Sequence, residues 1–303
     1  LAYHEKTLDY GDEGKEYSFP ESAELVYSVF SELDPEFGQI FADFLKNGQI
    51  DVKPKKGKRG GAFCAHHGIT HPTYVMLNHT NKLRDVMTVA HEMGHAINNE
   101  LVRGKQNALN FGTPLSTAEV ASTFMEDFVI ERLLTEADDE MALSLRVRQL
   151  DDIVATIFRQ IAFYRFEQDL HQAFRKQGYV SAADIGNLFV KHMREQLGEA
   201  FTGLDKAANW WLYVTHFRAF FYVYSYASGL LISKAMQAKV RTDKTFITAV
   251  KTFLAAGRSQ SPKDIFAEMG IDITDTSFWK SGIDEIERLL ADTEALAQKL
   301  GKI

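Results

Sequence analysis

At 303 residues the chain can form one large domain or two ordinary ones, and its 45% apolar and 25% charged content is that of an ordinary soluble globular protein. A net charge of −7, spread along the chain with only a short basic run at Lys53 to Arg59, argues against the concentrated basic face that nucleic acid requires. A single cysteine, Cys64, excludes an intrachain disulfide and fits a reducing, cytoplasmic setting. No uninterrupted apolar run reaches the length of a bilayer span. The N-terminus lacks the order of a signal peptide, and a start at Leu1 instead of Met reads as a truncated or processed chain.

In chain order, Asp34-Pro35-Glu36 predicts a helix start with an N-cap and a first-turn proline, and Asn47-Gly48 its end. The stretch from about 52 to 80 is rich in glycine and ends in the β-prone run Thr73-Tyr74-Val75-Met76-Leu77, which predicts a small hairpin or sheet. From 82 to about 102, Leu83, Val86, Met87, Ala90 and Ile97 follow helical spacing. Past Gly112-Thr113-Pro114 a second helix is predicted at about 117–137, then long amphipathic helices at roughly 139–177 and 182–197, the latter capped by Ser181. An aromatic-rich segment, 210–229, runs into a helix ending near Thr242, and three helices follow over 243–300, one opened by Ser261-Pro262. With no internal repeat or linker, the expected organisation is one mostly helical unit over 1–303.

His91-Glu92-Met93-Gly94-His95 is the pattern H-E-x-x-H inside the best helical segment. Four residues make about 400° of rotation, so both imidazoles leave one face one turn apart, within reach of one ion. Glu92 lies beside that face, where a carboxylate can deprotonate a metal-bound water. The plain alternative is a surface helix whose histidines bind nothing; Ala90, Gly94 and Ala96 speak against it, since small neighbours let another element approach. A third ligand is available at Glu119, although Ser116-x-x-Glu119 is equally a capping box. Glu126 shares the face of Glu119 and can orient a ligand histidine, or be a solvated helix carboxylate. A di-iron reading of Glu92-x-x-His95 fails, because no second E-x-x-H occurs.

These residues resemble the thimet-oligopeptidase-like metallopeptidases, and within them the oligoendopeptidase F branch. The likeness rests on His91 to His95 and on Glu119-Val120-Ala121-Ser122 with Glu126. It extends to Lys58-Arg59-Gly60-Gly61-Ala62-Phe63-Cys64, Tyr74-Val75-Met76-Leu77-Asn78, and His216 with Phe221 to Gly229. The tail, Ala256-Gly257-Arg258 through Ser261-Pro262 to Gly270-Ile271-Asp272, also looks like the branch. The resemblance implies a mainly α, multi-helix zincin-type catalytic domain of gluzincin type, with the small β element before the zinc helix. It implies one Zn2+ held by His91, His95 and Glu119, with Glu92 as general base in the hydrolysis of internal bonds of short peptides. Family members are longer, with a lobe N-terminal to this region, so the rival expectation is a peptide-binding or structural domain that keeps the metal site without turnover.

An oxyanion needs donors besides the metal, because its charge grows only in the transition state. His216 and Tyr224 are the candidates, with Tyr226 and Tyr222 in reserve; aromatic core filling beside Trp210, Trp211, Phe220 and Phe221 is the alternative. Gly60-Gly61-Ala62 and the run Tyr74 to Asn78 can offer a strand edge to a peptide backbone, or be only a glycine-rich turn. His66, His67, His71 and His79 are expected in the loop or at the rim, and Cys64 as a small buried side chain.

Overall fold

The computed structural model describes residue 10 and residues 15–303; the first residues of the expected unit, 1–9 and 11–14, lie outside the described residues. Helix α1, Phe19–Leu33, opens with a capping box in which Glu21 Oε2 accepts the Ser18 N–H at 2.8 Å. Helix α2, Pro35–Lys46, starts where its proline predicts, with Asp34 Oδ1 accepting the Glu36 N–H at 2.9 Å.

The β element is a three-stranded sheet of β1 (Ile50–Asp51), β2 (Phe63–Ala65) and β3 (Tyr74–Met76) in the order β1-β3-β2. The hairpin expected within 52–80 is the antiparallel pair β2–β3, with Cys64 opposite Val75. Strand β1 lies just before that range and runs parallel to β3, with Ile50 opposite Val75. The order leaves β2 at one edge. Asn78 secures the glycine turn leading into β2 by donating to the Arg59 carbonyl at 2.9 Å and the Gly61 carbonyl at 2.7 Å.

Helix α3, Leu83–Lys105, begins on the Asp85 carboxylate, which accepts from the N–H groups of Thr80 and Lys82 at 2.7 and 3.0 Å. Arg103 and Lys105 sit at its other end, where the helix dipole favours positive charge. Helix α4 runs Val120–Glu136, three residues later than the expected 117–137, because Leu115–Thr117 forms a 3-10 turn first. The long helix expected at 139–177 is continuous but takes a π turn: α5 (Asp139–Val154), the π segment Ala155–Arg159, and α6 (Gln160–Gln177). Ser181 Oγ accepts the Asp184 N–H at 3.1 Å and starts α7, Ala182–Leu197. The aromatic-rich segment is mostly 3-10 turns before α8, Tyr224–Thr242; α9 (Ile247–Ala255), α10 (Pro262–Glu268) and α11 (Thr276–Lys299) complete the chain.

Among the described residues two apolar cores result. The larger surrounds α3, which packs against α1, α2, α4, α9, β2 and β3 around Phe30, Phe41, Met93, Ile97 and Phe124. Inside it Asn98 donates to the Leu254 carbonyl at 2.6 Å, tying α3 to α9. The smaller core joins α6, α7 and the start of α8 through Phe163, Phe166, Phe189, Met193 and Val223. No described helix is long and apolar enough to cross a membrane.

Candidate metal centre

The close approach of α3 and α4 builds the site. A side chain at Gly94 would place its Cβ 2.7 Å from the Ser122 Cα and 2.8 Å from the Ala121 carbonyl oxygen, so glycine is what lets α4 lie against α3. On the far side a Cβ at Gly229 would fall 2.8 Å from the Glu119 Cβ, so α8 presses directly behind Glu119. Glu119 therefore stands between two helices at the first turn of α4, its carboxylate facing α3.

His91 and His95 present their rings at 84° with centroids 5.1 Å apart. Each Nε2 lies 3.5 Å from Glu119 Oε2, and one donor atom from each of the three residues falls within 4.8 Å of the others. Nitrogen and oxygen ligands held about 2.1 Å from a tetrahedral ion are about 3.4 Å apart, so the two shortest separations suit a single divalent cation. The capping-box alternative for Glu119 does not form. Ser116 lies within the 3-10 turn and not at a cap, and the Glu119 carboxylate instead accepts from Ser122 Oγ at 3.1 Å.

Electrostatics agree with the geometry. Burial pushes the Glu119 carboxyl up, but its hydrogen bonds with His91 and His95 outweigh that and hold it well below the usual carboxylate range. Burial opposes charge on His91, yet the carboxylates of Glu119 and Glu126 raise its pKa well above the ordinary histidine value. A buried carboxylate held ionised between two imidazoles is a place where a cation is favoured. Glu126 Oε2 lies 3.1 Å from His91 Nδ1, fixing the ring from behind so that Nε2 points at Glu119.

Glu92 is buried beside the pair, and burial raises its pKa. Its carboxylate accepts the backbone N–H of Cys64 on β2. Cys64 stands opposite Val75, whose own N–H goes to the Gln49 carbonyl on the β1 side at 2.9 Å, so the Cys64 backbone groups turn away from β3. A cleft of about 790 Å³ opens here, lined by Gly61, Ala62, His91, Glu92, Glu119, Glu126 and Tyr226 among others. Gly60, next in the chain, is exposed.

The late aromatic residues divide between two places. Tyr226 Oη lies 2.8 Å from His216 Nε2, and the Tyr222 ring sits 5.2 Å from the His216 ring and 5.7 Å from that of Tyr226. Burial lowers the His216 pKa and raises those of Tyr222 and Tyr226, and the nearby Glu119 charge raises both phenols further. Tyr224, two residues from Tyr226 on the same helix, faces elsewhere, edge-on to Tyr164 at 6.3 Å.

Of the histidines expected in the loop or at the rim, His79 lies in the loop between β3 and α3, buried at the cleft wall with its Nε2 3.0 Å from Ser22 Oγ. His66 packs edge-on against Phe111, and His67 against His71. Cys64 is half-buried, with burial pushing its thiol up to about 12. Ser122, Asn78 and Gly229 stand in runs that the sequence singles out, but what each does there, bonding to Glu119, tying down the glycine turn and admitting α8 behind Glu119, is seen only in the structure.

A helical frame that sets an H-E-x-x-H turn against a carboxylate from the following helix is an arrangement of the kind seen in helical metallopeptidases. Residues 23–285 match the model described as Peptidase family M3, and the chain belongs to that family. Oligoendopeptidase F, chromosomal, from Lactococcus lactis subsp. cremoris is 29% identical over 96% of this chain and 48% of its own length. Oligopeptidase PepF of Bacillus subtilis (strain 168) is 28% identical over 95% of this chain and 43% of its own. Thus the chain spans about half the length of the curated relatives it matches. Among solved structures, a Chlamydophila abortus protein superposes with a TM-score of 0.81 at 27% identity, over 98% of this chain and 50% of that one. The fold is also shared with oligoendopeptidase-F of Enterococcus faecium, TM-score 0.64 at 20% identity over 93% of this chain and 44% of that one.

Proposed function

We propose that this chain is the catalytic part of a zinc-dependent endopeptidase that hydrolyses internal bonds of short peptides in a reducing, cytoplasmic compartment. The observation that carries the reading is the convergence of His91, His95 and Glu119 donor atoms within 4.8 Å on a cleft that also holds Glu92. Zinc bound there supplies a Lewis acid for the scissile carbonyl and a water of lowered pKa.

The chain's own residues do the rest. Glu92, its proton affinity raised by burial, takes a proton from the attacking water and passes it to the leaving amine. Tyr226 lines the cleft with His216 hydrogen-bonded to it, and a phenol kept protonated is a donor for the developing oxyanion. The outward edge of β2, with Gly61 and Ala62 before it, offers main-chain groups to an extended peptide without reading its side chains. Because the relatives are about twice as long, a lobe N-terminal to this region is proposed to close the cleft and limit substrate length.

The test combines elemental analysis with an internally quenched peptide, with and without chelator. Expected are about one zinc per chain, chelator-sensitive cleavage, and a Glu92→Gln variant that keeps zinc but loses activity by several orders of magnitude. A chain that holds zinc and binds the peptide equally in both forms without cutting it would overturn the enzyme reading in favour of a binding domain.

A further inference from the structure

Phe220 and Phe221 adopt φ of 42° and 55°, and with Asn81 they are the non-glycine residues at positive φ among the described residues. Two successive bulky side chains in the left-handed region are disfavoured, so the bend persists only because its surroundings impose it. The bend lies between His216 and Tyr222, whose rings meet tilted at 33° with centroids 5.2 Å apart. The contacts of His216 with Tyr222 and Tyr226 therefore span it.

One face of α6 grips this bend. Tyr164, Glu167 and His171 follow one another at three- and four-residue spacing. The Tyr164 ring meets the Phe221 ring at 5.9 Å, and His171 meets Phe220 and Phe221 at 5.8 and 5.0 Å. Between them Glu167, only 2% exposed, accepts the Phe221 N–H on Oε1 at 2.8 Å, while its Oε2 is buried without a hydrogen-bond partner. Burying a carboxylate is costly even with the His171 Nε2 3.9 Å from its Oε1, and an apolar side chain would fill the same space more cheaply. What an apolar side chain cannot do is accept the amide of the strained residue.

We propose that Glu167 is a positioning residue for the peptidase reaction: by accepting the Phe221 amide it holds the left-handed bend that presents His216, Tyr222 and Tyr226 to the metal centre. The inference rests on the metallopeptidase reading above. Glu167 lies outside the His91–His95–Glu119 group. Its effect passes through the bend to groups that act in the transition state, so its loss falls on kcat more than on KM.

The test uses the whole chain with Glu167→Met, which keeps the volume and removes the acceptor, and Glu167→Gln, which keeps a carbonyl acceptor. Hydrogen–deuterium exchange is expected to rise across 216–226 in Glu167→Met and to stay unchanged across 83–105. Zinc content and KM should hold while kcat falls on the order of tenfold to a hundredfold, as for misplaced catalytic groups generally. Glu167→Gln should recover most of that loss. Should Glu167→Met not fold, Glu167→Ser, too short to reach Phe221, takes its place. Unchanged exchange at 216–226, or raised exchange with full kcat, overturns the proposal. Wild-type protein that binds no zinc and cuts no peptide is the separate failure of the peptidase reading; exchange still decides whether Glu167 anchors the bend.

Discussion

Replacing Gly94 by alanine puts one methyl group into the contact that joins the histidine helix to the Glu119 helix. The new Cβ would lie 2.7 Å from the Ser122 Cα and 3.0 Å from its backbone nitrogen, atoms that belong to main chain and cannot swing aside. Carbon atoms rest about 3.5–4.0 Å apart, so α3 and α4 must separate locally by about 1 Å. Overpacking of this kind costs about 1–3 kcal/mol, and the better helix propensity of alanine returns up to about 1 kcal/mol, leaving a net loss of up to about 2 kcal/mol. With an unfolding entropy near 2.1 cal/mol/K per residue over 303 residues, that lowers Tm by up to about 3 °C. The larger effect falls on the metal. A displacement of about 1 Å exceeds the roughly 0.2 Å latitude of coordination distances, so zinc affinity should drop at least about tenfold. Gly104→Ala is the internal control: it lies in the same helix, its added methyl would meet nothing within 4 Å, and it should hold affinity while gaining up to about 1 kcal/mol. Differential scanning fluorimetry and a competitive chelator titration read both quantities. If Gly94→Ala matches Gly104→Ala in Tm and zinc affinity, the packing argument for the site is wrong.

Other consequences separate residues that look alike. Tyr226→Phe should lower kcat by about a hundredfold with zinc retained, whereas Tyr224→Phe, which alters a group facing Tyr164, should leave kcat within about twofold; steady-state kinetics on one peptide compares them. Glu126→Gln weakens the partner that orients His91, and zinc affinity should fall about tenfold to a hundredfold in the same chelator titration. Cys64 has a thiol pushed up to about 12, so near pH 8 its thiolate fraction is lower than that of an ordinary thiol by about three orders of magnitude. Iodoacetamide followed by intact mass should therefore show negligible alkylation of folded protein at pH 8, a rate that climbs with pH, and prompt alkylation once the chain is unfolded. Prompt alkylation of the folded chain would contradict the burial.

What can be read from the sequence and what cannot divide along a physical line. The H-E-x-x-H turn is legible because helical geometry alone places His91 and His95 together, and the caps at Asp34, Ser181 and Ser261 are legible because a cap is a contact within three residues. Glu119 stands undecided between ligand and cap on spacing alone, since its partners are 24 and 28 residues away and reach it only through the Gly94–Ser122 contact. Tyr224 and Tyr226 part company in the structure for the opposite reason. Local spacing makes the two equivalent, and which one meets His216 is decided by a left-handed bend at two phenylalanines, a conformation for which phenylalanine carries no sequence signal. Glu167 is invisible for the same cause: in a long amphipathic helix a glutamate reads as a solvated side chain until the strained amide it accepts is known. Strand β1 escapes because two residues are too few to show a period. Where an arrangement follows from the repeat of a single element, residue spacing suffices. Where it follows from one element bending another, as α6 does to the turn before α8, the chemistry depends on contacts that spacing does not encode, and it is on those contacts that the Glu167 variants act.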